Sequence, residues 1–92
     1  MVTMAEAIIG KTYVITDISK NISYKALCLL NKWGITIDAK IVVVDKTTYG
    51  YHLFHAVHPN GELIRGSLSN EDARYIWLED ADKDNFIVIG FK

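Results

Sequence analysis

Three histidines at a spacing of three are the residues of this sequence best suited to metal chemistry. They are His52, His55 and His58, and imidazole is a common ligand of transition metals. The residues around them are β-branched and aromatic and are bounded by Gly50 and Pro59, which predicts a strand. On a strand His55 points away from the other two, which lie roughly 20 Å apart. The spacing therefore argues against one metal ion shared by all three histidines, and leaves open a single histidine joined by residues from elsewhere or from another chain.

A second pattern resembles the start of a calcium-binding loop. Acidic or amide side chains alternate in the run Asp80-Ala81-Asp82-Lys83-Asp84-Asn85. The calcium loop requires Gly where Asn85 stands and a bidentate Glu where Phe91 stands. We therefore interpret the run as a polar loop.

Nucleophilic and nucleotide chemistry find no support in the sequence. The single cysteine, Cys28, falls near Tyr24, Lys25 and Lys32 on a predicted helix, but no histidine or redox partner is placed beside it. The six glycines form no phosphate-binding motif, and we expect each at a turn, strand end or bulge. We predict a protein that binds a partner, is not an enzyme and needs no cofactor.

Size and charge narrow the class of partner. The chain has 92 residues, enough for one domain, and 10 Lys plus Arg against 11 Asp plus Glu, so it lacks the basic field that dominates nucleic-acid binding. The first residues lack the pattern of a signal peptide, and the apolar runs are too short to span a bilayer. We expect a cytoplasmic protein in a reducing compartment, with no membrane insertion of its own and no nucleic-acid partner.

The elements that must position these residues are short strands around one helix. A helix that begins at Asn21 or Ser23 and ends at Gly34 has one apolar face. Its members are Ala26, Leu27, Leu29, Leu30 and Trp33. Strands are predicted at residues 11–18, 39–46, 51–57, 62–68, 75–78 and 86–91, with a capped helical turn at 69–74. We expect the strand at 39–46 to be covered on both faces, and the fold to be a mainly β, small barrel of five to six strands.

Two segments carry a resemblance to a known family. They are the helix exit Leu29-Leu30-Asn31-Lys32-Trp33-Gly34-Ile35-Thr36 and the segment from Leu68 to Ile76, preceded by Gly10 before the first strand. Over roughly residues 8–78 the sequence resembles the FeoA family. Those proteins are small cytoplasmic accessories of bacterial ferrous-iron transport with an SH3-like barrel fold, and a similar domain ends some metal-dependent repressors. The family usually has Pro-Gly where this chain has Ile37-Asp38, and a basic residue where it has Ser69.

The resemblance implies an accessory that docks on the cytoplasmic, G-protein-containing part of the transporter FeoB. The candidate contact residues are Lys25, Lys32, Trp33, Gly34 and Ile35. Core packing is the favoured role of Trp33, because it shares the apolar helix face. Two alternatives stay open: a metal- or small-ligand-binding domain that uses the three histidines, and a stand-alone SH3-like interaction module. A homo-oligomer is compatible with each of these readings.

Overall fold

Six strands and two helices make up the part of the chain that the structure, a computed structural model, describes: residues 1–58 and 60–81. The strands are β1 (Val2–Thr3), β2 (Thr12–Ile18), β3 (Lys40–Lys46), β4 (Tyr51–Val57), β5 (Leu63–Ser69) and β6 (Ile76–Asp80). The helices are α1 (Tyr24–Trp33) and α2 (Asn70–Ala73), with a 3-10 turn at Met4–Glu6. The strands form one antiparallel sheet in the order β1-β6-β2-β3-β4-β5. The predicted mainly β, SH3-like barrel with one longer helix and a short helical turn is confirmed.

The sheet is interrupted by two irregularities that increase its bend. The pairing of β2 with β6 shifts between Ile15 and Asp17, and the pairing of β3 with β4 shifts between Val43 and Asp45. An extra residue in one strand of an antiparallel pair bends the strand and raises its twist. These shifts let a single sheet curve around its own core.

The core lies on the inner face of the sheet. Alternate residues of β2, β3 and β4 point inward, so that Tyr13, Ile41 and Phe54 are buried together with Leu30 of α1 and Met4 of the 3-10 turn. The expectation that residues 39–46 are covered on both faces is wrong. Ile41 and Val43 are buried, whereas Val44 and Asp45 are exposed, so only one side of β3 faces the core.

Helix α1 begins and ends where local chemistry predicts. The hydroxyl of Ser23 accepts a hydrogen bond from the backbone N–H of Ala26 at 3.1 Å, so Ser23 and not Asn21 is the N-cap. Ala26 and Leu30 are buried, whereas Leu27 is exposed, which corrects its assignment to the apolar face. The core-facing stripe is thus narrower than the one predicted.

The short helix α2 is tied to the start of α1 by one carboxylate. Ser69 caps α2, as predicted, by accepting from the backbone N–H of Asp72 at 3.1 Å. The Asp72 carboxylate accepts from the Ser69 hydroxyl at 3.0 Å, and from the hydroxyl and backbone N–H of Ser23 at 3.0 and 3.2 Å. The two N-caps therefore share one acceptor, which fixes α1 against α2.

The 3-10 turn that follows β1 was not expected from the sequence. Glu6 accepts hydrogen bonds from the backbone N–H and hydroxyl of Thr3 at 2.9 and 3.1 Å, and the backbone bond holds the pKa of Glu6 below its ordinary value of 4.5. Met4, the first residue of the turn, is buried in the core.

Candidate functional site

The exit of helix α1 is a tight turn closed by backbone hydrogen bonds. Gly34 takes the left-handed conformation, with φ of 72°, which a residue with a side chain adopts only at a cost. Its N–H donates to the carbonyl of Asn31 at 3.1 Å, and the N–H of Ile35 donates to that of Leu30 at 2.9 Å. The backbone therefore turns sharply at the point where the candidate contact residues lie.

Trp33 packs between the helix and the hairpin of β4 and β5. Its ring meets Phe54 edge-to-face, with centroids 5.9 Å apart and an interplanar angle of 71°. A Cβ placed on Gly66 would lie 3.0 Å from Cζ3 of Trp33 and 2.7 Å from Cζ of Phe54. The glycine thus makes room for both rings. Gly66 lies inside an uninterrupted stretch of β5, so the expectation that every glycine marks a turn, strand end or bulge is wrong here.

Ile35, which follows Gly34 at the helix exit, belongs to the core, since only 2% of its surface is exposed. Trp33 is partly buried and packs against the same core. These two side chains hold the exit in place. The surface available to a partner at this point is therefore the backbone around Gly34 and the neighbouring exposed helix residues.

Histidine His58 lies against the helix exit. A Cβ on Gly34 would lie 3.1 Å from Cδ2 and 3.2 Å from Nε2 of His58. The other ring nitrogen, Nδ1, accepts from the backbone N–H of Asn60 at 3.3 Å. The structure thus places His58, one of the candidate metal ligands, against Gly34, one of the candidate contact residues. These positions are distant in the chain, so no periodic pattern in the sequence could have predicted the contact.

The exposed face of α1 carries both candidate lysines. Lys25 and Lys32 are exposed, together with Tyr24 and Cys28. A hydrogen bond with Cys28 raises the pKa of the Tyr24 hydroxyl. This face combines two positive charges with an exposed aromatic ring.

The strand histidines point to opposite faces of the sheet. His52 is 4% exposed, its Nδ1 lies 2.6 Å from Oδ1 of Asn70, and its Nε2 has no hydrogen-bond partner among the described residues. His55 lies on the outer face, paired across the sheet with Val42 and Arg65. Within residues 1–58 and 60–81, no group of three His, Cys, Asp or Glu residues is placed to hold a metal ion.

Two predicted features lie outside the described residues. They are most of the acidic run from Asp80 to Asn85 and the strand predicted at 86–91. In the part of the chain that is described, neither helix has the length and apolar character needed to cross a membrane.

Comparisons with known proteins give structural matches alone. No protein-family model matches the sequence, and no curated protein matches it. The fold is similar to that of an iron uptake regulatory protein, FeoA, with a TM-score of 0.64 and 18% identity over 85% of this chain and 93% of that one. It is also similar to a FeoA-like protein from Clostridium acetobutylicum, with a TM-score of 0.63 and 18% identity over 86% of this chain and 85% of that one.

A larger protein contains the same fold as one part. A manganese-dependent transcriptional repressor, in complex with manganese, matches with a TM-score of 0.71 and 18% identity. The match covers 87% of this chain, which spans 36% of the repressor's length. The chain therefore has the SH3-like fold that FeoA, a FeoA-like protein and part of a metal-dependent repressor share.

Proposed function

We propose that this chain is an accessory protein of ferrous-iron transport that docks on the cytoplasmic, G-protein-containing part of the transporter FeoB. The observation that carries the proposal is the match to FeoA, because it extends over 93% of that protein and uses most of the present chain as well. Because sequence identity with FeoA is low, the match shows a similar fold, and we infer the function from that similarity. The proposed mechanism is a shift in the partner's conformational or nucleotide equilibrium, without chemistry by this chain.

The geometry suggests which part of the helix exit meets the partner. Ile35 is buried and Trp33 packs on the core, so we assign them the role of holding Gly34 in position. Lys25 and Lys32 are exposed on the adjoining helix. We propose that these lysines meet an acidic surface of the transporter, since complementary charges steer association and fix orientation.

The test is retention of the purified chain by the cytoplasmic domain of FeoB, measured with GDP, with a non-hydrolysable GTP analogue and without nucleotide. Reversing both charges in Lys25→Glu/Lys32→Glu is expected to weaken binding by about tenfold or more, as loss of two interfacial charge contacts does. Lys20→Glu/Arg74→Glu is the matched control, because it makes the same change of charge at exposed positions outside α1. Absence of retention at micromolar concentration under all three nucleotide conditions would refute the proposal.

A second candidate function is binding of a metal or small ligand through the histidines. The observation that favours it is the buried Nε2 of His52, which lacks a partner among the described residues. Titration with ferrous iron and with zinc, followed through the histidine NMR signals, separates the two functions. Tight stoichiometric binding that is lost in His52→Leu and kept in His55→Leu would favour the ligand function.

A third candidate, a stand-alone SH3-like interaction module, draws on the similarity to part of the repressor. Within residues 1–58 and 60–81, the chain lacks the DNA-binding helices that such a repressor needs. Binding to a peptide or a neighbouring domain in the absence of any binding to FeoB would favour it.

A further inference from the structure

Among the described residues, one side of the backbone of strand β5 has no strand partner. In the hairpin, the carbonyl of Glu62 accepts from the N–H of His58 at 2.8 Å, and the register then continues without a shift. Because antiparallel bonding alternates along a strand, the even-numbered residues of β5 bond to β4. Leu63, Arg65 and Ser67 therefore direct their N–H and C=O groups to the opposite side. In the described part of the chain, β5 is the last strand of the sheet.

This edge lacks the features that usually prevent strands from pairing between molecules. Protective edges are short, bulged or rich in Pro and charged residues. The opposite edge of the sheet meets the first criterion, since β1 has only 2 residues. By contrast β5 has 7 residues, shows no register shift, contains no proline and carries a single charged residue, Arg65. The two edges of the sheet are thus very different in their capacity to pair.

Exposed apolar side chains adjoin the open edge on the outer face. Leu63 is 53% exposed, and Tyr51 and Leu53 of the neighbouring strand are 49% and 36% exposed. Tyr51 is paired with Ser69 and Leu53 with Ser67. An added strand would bring further side chains against this apolar face and remove part of it from water.

We propose that β5 pairs with β5 of a second copy of this chain, antiparallel and across a two-fold axis at Gly66. In that register Arg65 lies opposite Ser67 of the second copy and Leu63 opposite Ser69, so all of β5 is paired. The residues with outward-directed backbone groups then face one another, as antiparallel bonding requires.

Other registers fit less well. A two-fold axis at Arg65 would set the two arginines directly opposite each other, and like charges in that position are destabilising. An axis at Ser67 would leave Leu63 beyond the paired part of the strand. The formal net charge of −1 adds little repulsion between copies. A second copy therefore pairs the outward-directed backbone groups of β5 without setting like charges opposite each other. This inference is independent of the proposed function in iron transport.

The test compares two substitutions at one position in the full chain. Ser67→Glu places a carboxylate opposite Arg65 of the second copy, and Ser67→Arg places a like charge there. Dimerisation is measured by sedimentation equilibrium over a range of concentrations, with circular dichroism to establish that both variants fold. A cross-strand charge pair contributes about 0.2–1 kcal/mol and occurs twice by symmetry, so Ser67→Glu is expected to tighten the dimer about two- to thirtyfold, and Ser67→Arg to weaken it similarly.

Three results would overturn the inference. A chain that stays monomeric up to about millimolar concentration, where even a weak dimer would form, contradicts it. So do equal dimerisation constants for the two Ser67 variants. The third is amide hydrogen exchange of Leu63, Arg65 and Ser67 that is slow and independent of concentration, since this would assign the edge to another segment of the same chain. Protection that rises with concentration supports the dimer.

Discussion

The absence of a side chain at Gly66 makes room for the two rings that support the helix exit. The backbone at Gly66 has no unusual φ, so glycine is needed there for space and not for conformation. Trp33 and Phe54 fill the volume that a side chain at this position would take. The candidate contact surface therefore depends on a residue in a different element.

We expect Gly66→Ala to destabilise the fold by about 1–3 kcal/mol, the range for overpacking a well-filled core. The added methyl group would lie 2.7 Å from Cζ of Phe54, so the ring must move. Urea unfolding followed by circular dichroism measures the change. In a Phe54→Leu background the cost of Gly66→Ala should fall, because Cζ is gone. Equal costs in the two backgrounds would show that the destabilisation arises elsewhere.

Asp38 takes the left-handed conformation, with φ of 78°, and its N–H donates to the carbonyl of Ile15 at 2.7 Å. Asp and Asn are, after Gly, the residues that adopt this conformation most readily. We expect Asp38→Ala to be less stable than Asp38→Gly by about 1 kcal/mol, because a Cβ is unfavourable at positive φ. Thr36 is an exposed neighbour without positive φ, and there the order of Ala and Gly should reverse. Thermal unfolding of the four variants provides the comparison.

These residues also show the limits of sequence reasoning at the site. Gly34 could be predicted, because a glycine that ends an amphipathic helix is a local signal. The contacts of His58 with Gly34 and of Trp33 with Gly66 could not, since they join segments that are distant in the chain. Tertiary packing decides such contacts, and local patterns do not report it.

Among the elements, α1 is held by its N-terminus as well as by its exit. The carboxylate of Asp72 accepts from Ser23 and from Ser69, so it joins the caps of both helices. Capping interactions stabilise a helix because the first backbone N–H groups have no partner within it. The orientation of the exposed lysine face thus depends on a residue that lies outside α1.

We expect Asp72→Ala to reduce the free energy of unfolding by about 1–2 kcal/mol, as loss of a cap with charge-assisted hydrogen bonds does. Glu71→Ala is the matched control, because Glu71 is an exposed carboxylate in the same turn and removes the same charge from the helix N-terminus. Chemical unfolding of both variants measures the difference. If both variants lose the same free energy, the shared cap contributes nothing beyond local charge.

Most elements could be predicted because their signals are local. The hairpin of β4 and β5, the cap at Ser69 and the end of α1 each follow from residues within a few positions. The strand β1 could not be found, since 2 residues are too few for a periodic pattern. The burial of β3 was overestimated because an apolar run looks the same whether one face or both are covered.

For the molecule as a whole, the core connects both ends of the sheet. Met4 and Ile76 at one end, and Phe54 and Leu30 at the other, belong to one continuous cluster of buried side chains. A domain with one continuous core unfolds cooperatively in most cases. The helix exit and the edge strand β5 should therefore be lost together with the remote strand β6.

The two tryptophans provide reporters of this cooperativity. Trp33 contacts Phe54 near the helix exit, and Trp77 lies on β6, paired with Thr3 and Asp17. In Trp77→Phe the fluorescence reports on the helix exit alone, and in Trp33→Phe on β6 alone. We expect the midpoint of urea unfolding by fluorescence to coincide with that by far-ultraviolet circular dichroism in each variant, even though Trp33→Phe lowers stability. A Trp33 signal that changes at lower urea than the circular dichroism would mean that the helix exit opens before the barrel unfolds.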